Sequence, residues 1–333
     1  MIDLKKLYYY PSAPKGGYTN PYSENYKLGM ADYYHVLDDK NKPSGMKSLW
    51  FLWYSFKADV FIVNWLDSVC FLRFSFLQFL FAELALFVIV IRGKRIVWML
   101  HNIHPHEGDN WMSKKINASL LKQSKAIIVH SHLAEEYARS LHAESVYYRC
   151  HPIDMSRVTE RIAKTHYPNY DIFIWGTIFP YKGVREFLSS EVVKSSDFSV
   201  LVIGICHDRT LADQIAELCN DRVHYENRKI EFSELAQRIS CCKYVLFPYI
   251  GDCVSSSGAL IDTICMNGNA VGPNVGAFRD LSDFGVCHTY NDYNELALLL
   301  KDYSEIDFEK RDAFICTNGW KQFCNFVHQI VEK

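Results

Sequence analysis

Ser255, Ser256, Ser257 and Gly258 follow an apolar run, YVLFP at 244–248, and precede a helical pattern that carries Asp262 one turn in. Small residues at a strand-to-helix junction let free backbone N–H groups approach an anion closely, and the helix dipole favours a phosphate there. A carboxylate one turn further on can accept two hydrogen bonds from a ribose diol. The helical pattern ends near Asn267-Gly268, a short apolar strand follows at 270–272, and a second small-residue turn, Asn274-Val275-Gly276, comes next. The chemistry is that of a nucleoside diphosphate site. Helix capping by itself also accounts for serine and glycine at such a junction, so the surroundings decide the reading.

A second constellation is Gly176-Thr177-Ile178-Phe179-Pro180-Tyr181-Lys182-Gly183, between an apolar run at 171–175 and a helical pattern at 184–188. Lys182 is a mobile cation placed where a second diphosphate contact is useful. In an open α/β sheet both loops leave the carboxyl ends of strands, where ligands bind. Read alone, Lys182 is a solvated lysine in a turn.

The third is His101-Asn102-Ile103-His104-Pro105-His106-Glu107, after an apolar run at 96–100. Three histidines and a glutamate could hold a metal, but no H-E-x-x-H pattern is present and Pro105 prevents a regular helix. A polar loop that supplies a base or orients a sugar fits better, and loop packing is the plain alternative. No Asp-x-Asp pair occurs to hold a divalent cation against a diphosphate, so neither metal nor cofactor is expected. Lys182, backbone amides and helix dipoles would neutralise the charge. Near the start, Gly16-Gly17 allows close backbone approach and Asn20 can cap a helix. His130 or His132, at the end of the 126–129 run, is a further polar candidate, or part of a plain turn.

These residues need strands and helices to position them. Short apolar runs recur at 6–10, 59–63, 96–100, 126–129, 171–175, 198–203, 222–225 and 244–248, with helical patterns between them, for example at 114–123, 133–141, 210–220 and 232–241. Strand–helix alternation implies parallel sheets with helices on both faces. Two such sets make an α/β protein of two doubly wound, Rossmann-like domains, with a boundary in the polar stretch 151–168. The last helix, 320–332, is amphipathic.

With 333 residues, 49% hydrophobic and 22% charged, the chain can bury a large core. A net charge of −2 argues against a nucleic-acid partner. Eleven cysteines without a C-x-x-C pair, several inside apolar runs, read as free buried thiols in a reducing cytoplasm. The start has no signal-peptide pattern, so a cytoplasmic protein is expected. Residues 69–91 are nearly all apolar but interrupted by Arg73, Gln78 and Glu83, which argues against a membrane span. Two readings stand: a buried helix near 71–81 followed by a core strand or helix end, or a helix whose apolar face lies on a membrane surface.

Together these segments resemble the two-domain GT-B glycosyltransferases, and most closely the retaining family 4 enzymes of bacterial polysaccharide and capsule synthesis. The resemblance rests on the glycine-bearing first loop with Asn20-Pro21-Tyr22, the His101-Asn102…Pro105-His106-Glu107 loop, the Gly176…Lys182-Gly183 turn, the segment from Ser256 to Asp262, and the final helix. It implies two domains facing across a cleft. The first, residues 1–155 with the returning helix 318–333, would bind the acceptor through Gly16, Gly17, Asn20 and His106. The second, residues 156–317, would bind the donor. It also implies a metal-independent hexosyltransferase that moves a sugar from a nucleoside diphosphate sugar, UDP before GDP, to a hydroxyl of a lipid-linked saccharide at the inner membrane face. Lys182 with Ser256, Ser257 and Gly258 would hold the diphosphate, Asp262 the ribose, and Arg228, Lys229 and Ile230 the base. His104 or His101 would contact the transferred sugar, and in an inverting enzyme Glu107 or His106 would be the base.

The chain departs from the family in three places. Asp262 stands where the second of two glutamates is usual. The first falls on Val254, with Asp252 two residues away. The common arginine after the glycine falls on Thr177. A sugar epimerase or phosphorylase of the same fold, or a non-catalytic nucleotide-sugar-binding subunit, are the alternative activities.

Overall fold

The computed structural model describes residues 4–11, 20–37, 45–101, 103, 110–157, 169–251 and 254–333. The chain divides into two units, Met1–Cys150 with Trp320–Lys333, and His151–Gly319.

The first unit is built on a sheet of β1 (Lys6–Tyr10), β2 (His35–Leu37), β3 (Val60–Asn64), β4 (Arg95–Leu100), β5 (Ala126–Val129) and β6 (Val146–Tyr148). Its order is β2-β1-β3-β4-β5-β6 and each pairing is parallel. The central strands are apolar along their whole length because helices cover both faces: all of VFIVN in β3 and AIIV in β5 is buried. Side chains alternate across the sheet. Tyr8, Phe61 and Trp98 enter a core with the helices Lys47–Ser55 and Ser75–Ile91. Leu7, Tyr9, Ile62 and Val97 enter the other, under the helices Pro21–Met30 and Trp320–Glu332.

The final helix therefore belongs to the first unit. Phe323, Cys324, Val327, Ile330 and Val331 form its buried face. It lies so close to the helix Pro21–Met30 that a Cβ on Gly29 would sit 2.5 Å from the sulfur of Cys324. Any larger residue there would have to displace the Cys324 side chain.

The second unit repeats the plan with β7 (Tyr170–Trp175), β8 (Val200–Ile203), β9 (Val223–Glu226), β10 (Cys242–Leu246), β11 (Ala270–Pro273) and β12 (His288–Tyr290). Its order is β12-β11-β10-β7-β8-β9, again parallel. The order reverses at β7 and β10, and their carboxyl ends are where this topology opens a crevice. Side-chain caps start its helices: Asp208 accepts from the Leu211 amide, Ser257 from Leu260, and Asp292 from Asn294 and Glu295.

Residues 69–91 differ from the buried-helix reading. A 3₁₀ turn, Leu66–Phe71, leads into one continuous helix, Ser75–Ile91, with no strand in it. Gln78, Phe79, Ala82, Ala85, Leu86 and Ile89 are buried, while the opposite side of the helix is exposed. Hydropathy cannot separate the two faces of a helix that is apolar on nearly every side. Among the described residues no helix is long and apolar enough to cross a membrane. The described cysteines are free, and Cys70, Cys265 and Cys324 are buried as expected, whereas Cys219 and Cys316 are exposed.

Candidate active site

At the end of β7 the chain turns through Gly176 (φ 101°) and a 3₁₀ turn, Pro180–Lys182, before Gly183 (φ 65°) opens the helix Val184–Leu188. A Cβ on Gly183 would lie 2.0 Å from the carbonyl oxygen of Pro248. The absence of a side chain therefore brings the Lys182 loop against the loop after β10. Ile250 N–H donates to the carbonyl of Tyr181 at 2.9 Å and locks the two together. A pocket sits at this junction, lined by Trp175, Gly176, Ile178, Lys182, Phe247 and Tyr249 among others.

Tyr249 links the two sequence-predicted phosphate loops. The Lys182 ammonium lies 5.5 Å from the centre of its ring, and its hydroxyl is 3.5 Å from the Ser257 hydroxyl. Ser257 caps the helix Gly258–Cys265. Ser256 is half-buried and Gly258 exposed, so the start of this helix lies beside the Tyr249 phenol, whose ring also carries the Lys182 ammonium. A Cβ on Gly258 would meet nothing within 4 Å, so the fold itself does not require glycine at that position. Ser255 is buried, and its hydroxyl has no hydrogen-bond partner among the described residues.

Asp262 comes one turn later, as the spacing predicts, but it is already engaged. Arg157 Nη1 donates to both carboxylate oxygens, at 2.9 and 2.8 Å. The guanidinium also reaches Asp154 at 3.3 Å and lies 4.4 Å from the centre of the Phe232 ring. Burial pushes the Asp262 carboxyl above the usual carboxylate range, and Arg157 pulls it partly back. A carboxylate offers about four lone-pair sites, so a diol can still be accepted beside the guanidinium. Beside Asp262, Thr263 Oγ1 accepts from the indole N–H of Trp175 at 2.9 Å, tying the end of β7 to this helix. Val254 is buried, and its carbonyl accepts from Ala277 N–H at 2.9 Å.

After β9, Arg228 is fixed by carboxylates: Nε donates to Glu226 at 2.6 Å, and Nη1 and Nη2 to Glu234 at 2.8 and 2.6 Å. The hydrogen bonds from Arg228 hold the Glu234 carboxyl down at about 2. Lys229 is exposed and reaches Glu231 at 3.4 Å. Ile230 is half-buried.

In the first unit Asn20 caps its helix by accepting from Tyr22 N–H at 3.0 Å. His101 ends β4 and is buried; its ring stacks on Trp65 at 4.8 Å and meets Tyr22 edge-on at 4.6 Å. His130 is buried beside it, with Nδ1 2.8 Å from the Arg149 carbonyl and Nε2 2.9 Å from the Tyr22 hydroxyl. Burial holds the His130 imidazole down at about 4. It is therefore neutral, with Nδ1 donating to the carbonyl and Nε2 accepting from the phenol. His132 is exposed and pairs with Glu135 at 3.0 Å. Gly16, Gly17, His104, His106, Glu107 and Asp252 lie outside the described residues. Among the described residues no group of three or more His, Cys, Asp or Glu side chains could hold a metal.

No protein-family model matches the sequence, and no curated protein matches it. Solved structures do match the fold. The Anabaena protein HepE in complex with UDP aligns over 99% of this chain and 98% of its own, with a TM-score of 0.63 and 13% identity. A glycosyltransferase from Rickettsia africae aligns over 99% and 98%, with a TM-score of 0.65 and 11% identity. AviGT4, a glycosyltransferase involved in avilamycin A biosynthesis, aligns over 99% and 97%, with a TM-score of 0.64 and 12% identity. The fold is that of the GT-B glycosyltransferases. At these identities the likeness concerns the architecture of two parallel six-stranded sheets.

Sequence reasoning singled out the loops at 176–183 and 255–262 but not Arg157, Tyr249 and Trp175, which the structure sets beside them. Arg157 is separated from Asp262 by 105 positions, and no local pattern connects them. Tyr249 follows directly on the 244–248 run and could have been found as a ring at a strand's carboxyl end.

Proposed function

We propose that the protein is a metal-independent glycosyltransferase that moves a hexose from a nucleoside diphosphate sugar, UDP before GDP, to a hydroxyl of a lipid-linked glycan in cell-surface polysaccharide synthesis. Its place of action is the cytoplasmic face of the membrane. The observation that supports this reading is Tyr249, whose ring lies 5.5 Å from the Lys182 ammonium and whose hydroxyl lies 3.5 Å from that of Ser257. HepE, which shares the fold, binds UDP in its crystal structure.

In the reaction the bond from the sugar's anomeric carbon to the diphosphate oxygen breaks. A bond to the acceptor oxygen forms, the acceptor's hydroxyl proton leaves, and the nucleoside diphosphate departs with the electron pair. The main developing charge is on the diphosphate. Lys182 and the amides at Ser256, Ser257 and Gly258 would stabilise it. Asp262, held by Arg157, would accept the ribose diol. Because the Arg228 side chain is committed to two glutamates, the base would be read by the main chain at Lys229 and Ile230. The first unit would bind the acceptor through Gly16, Gly17, Asn20 and His106. His101 or His104 would contact the sugar, and Glu107 or His106 would take the proton in an inverting reaction.

The test is release of nucleoside diphosphate from a panel of UDP- and GDP-hexoses, with and without a lipid-linked saccharide and in the presence of chelator. Acceptor-dependent release that survives chelation supports the reading. Donor turnover without acceptor favours an epimerase or phosphorylase, and no binding of any nucleotide favours a non-catalytic subunit.

A further inference from the structure

Every fully exposed position of the helix Ser75–Ile91 is apolar, including Phe76, Leu77, Leu80, Leu84, Phe87 and Ile91, while Ser75 and Glu83 are half-buried. Spacings of three and four residues put them on one stripe. These are not grazing exposures, since Phe87 is 58% and Ile91 67% exposed. The helix Lys47–Ser55 packs alongside, joined by the Ser48 hydroxyl to Gln78 at 3.3 Å and by Arg92 to the Ser55 carbonyl. It extends the apolar surface with Trp53, 49% exposed, and Phe56 just beyond it, 58% exposed. A contiguous patch of this kind marks an interaction surface.

Charge identifies the occupant. Two exposed cations sit against rings of the patch: Lys57, 4.2 Å from the centre of Trp53, and Arg73, 4.8 Å from Phe74. No acidic residue is exposed anywhere from 45 to 91. The three acidic residues there, Asp59, Asp67 and Glu83, are half-buried; Asp59 pairs with Lys94 at 2.6 Å, and Glu83 accepts from the Ser119 hydroxyl at 3.0 and 2.9 Å. Aromatic rings beside cations that can snorkel suit the headgroup layer of a bilayer. The fully exposed charges beside the rings are thus positive; they are attracted to anionic lipid and repel each other across a contact between two copies. The helix cannot span: 17 residues cover about 25 Å against a hydrocarbon core of roughly 30 Å. Its inner face, with Gln78, Ala82 and Ile89, is also buried in the unit.

We propose that this two-helix face docks the protein flat on an anionic lipid bilayer, with Phe76, Leu80, Leu84 and Phe87 in the acyl boundary and Lys57 and Arg73 on headgroups. The inference deepens the reading above, since it rests on an acceptor that is itself in the membrane.

The full chain is sedimented with vesicles of phosphatidylcholine alone and of phosphatidylcholine mixed with phosphatidylglycerol. Binding should need the anionic lipid and weaken in salt. A combined Leu80→Glu, Leu84→Glu, Phe87→Glu variant should lose roughly 100-fold or more in partitioning while keeping its thermal midpoint and its nucleotide-induced shift. If that variant fails to fold, Phe87→Gln alone should cost roughly tenfold. Lys57→Glu with Arg73→Glu should remove the preference for phosphatidylglycerol. A wild-type chain that ignores both vesicles overturns the proposal, as does a solution dimer that the triple variant dissociates. Loss of nucleotide binding with vesicle binding intact would instead sink the donor site and leave the membrane face standing.

Discussion

Arg157 holds Asp262 through one nitrogen shared between both carboxylate oxygens, at 2.9 and 2.8 Å. The residue proposed to take the ribose is thus also half of a mostly buried ion pair, and the two roles predict different losses. Arg157→Ala leaves the carboxylate buried without its cation and should cost roughly 1–3 kcal/mol of stability. Asp262→Asn should weaken nucleotide affinity by roughly the same amount if the diol binds there. Calorimetric titration with UDP separates them: unchanged affinity in the Asp262→Asn variant leaves Asp262 a structural residue only.

Two glycines at the same crevice should behave in opposite ways. Gly183→Ala drives a Cβ to within 2.0 Å of the Pro248 carbonyl at a positive φ, so it should destabilise by more than about 2 kcal/mol, by clash and backbone strain together. Gly258→Ala meets open space and should leave the thermal midpoint unchanged. Its methyl group would stand where a phosphate approaches the helix terminus, so UDP affinity should drop about tenfold, roughly 1.4 kcal/mol. Unchanged affinity in this variant would move the diphosphate away from Gly258.

Lys182→Ala should act on turnover rather than folding, because the ammonium is partly exposed beside the Tyr249 ring. Loss of one stabiliser of developing charge costs on the order of 100-fold in kcat, with an unchanged melting midpoint. A variant of full activity would remove Lys182 from the reaction.

Most of the fold was legible because buried parallel strands are nearly continuous apolar runs, as in β3, β5 and β8. The short edge strands β2, β6 and β12 carry three residues each and gave no such run. The outward face of the helix Ser75–Ile91 was illegible because its exposed and buried sides have the same hydropathy. In the candidate site, loop positions followed from local spacing. The pairing of Asp262 with Arg157 depends on the tertiary fold and leaves no local mark. Arg228 was different: Glu226 and Glu234 lie two and six positions away, close enough that its capture by carboxylates could have been anticipated.

His130 supplies a pH signature for the first unit. Its folded-state value of about 4 lies below the ordinary 6.5, so the folded imidazole resists a proton that the unfolded chain accepts. Stability should be steady above pH 6.5 and fall as pH drops from 6.5 toward 4, by up to about 3 kcal/mol from this group. Denaturant melts across that range should show the slope in the wild type and a flatter one in His130→Gln. Equal slopes would place the pH dependence elsewhere.

The central claim is that the crevice at the carboxyl ends of β7 and β10 binds a nucleoside diphosphate without metal. It is tested most directly by thermal unfolding with UDP, GDP, ADP and CMP in turn, with chelator present. A ligand at about 100 times its Kd stabilises by roughly 2.7 kcal/mol. A clear upward shift with UDP that is lost in Lys182→Ala is the predicted result. No shift with any of the four nucleotides would contradict the account.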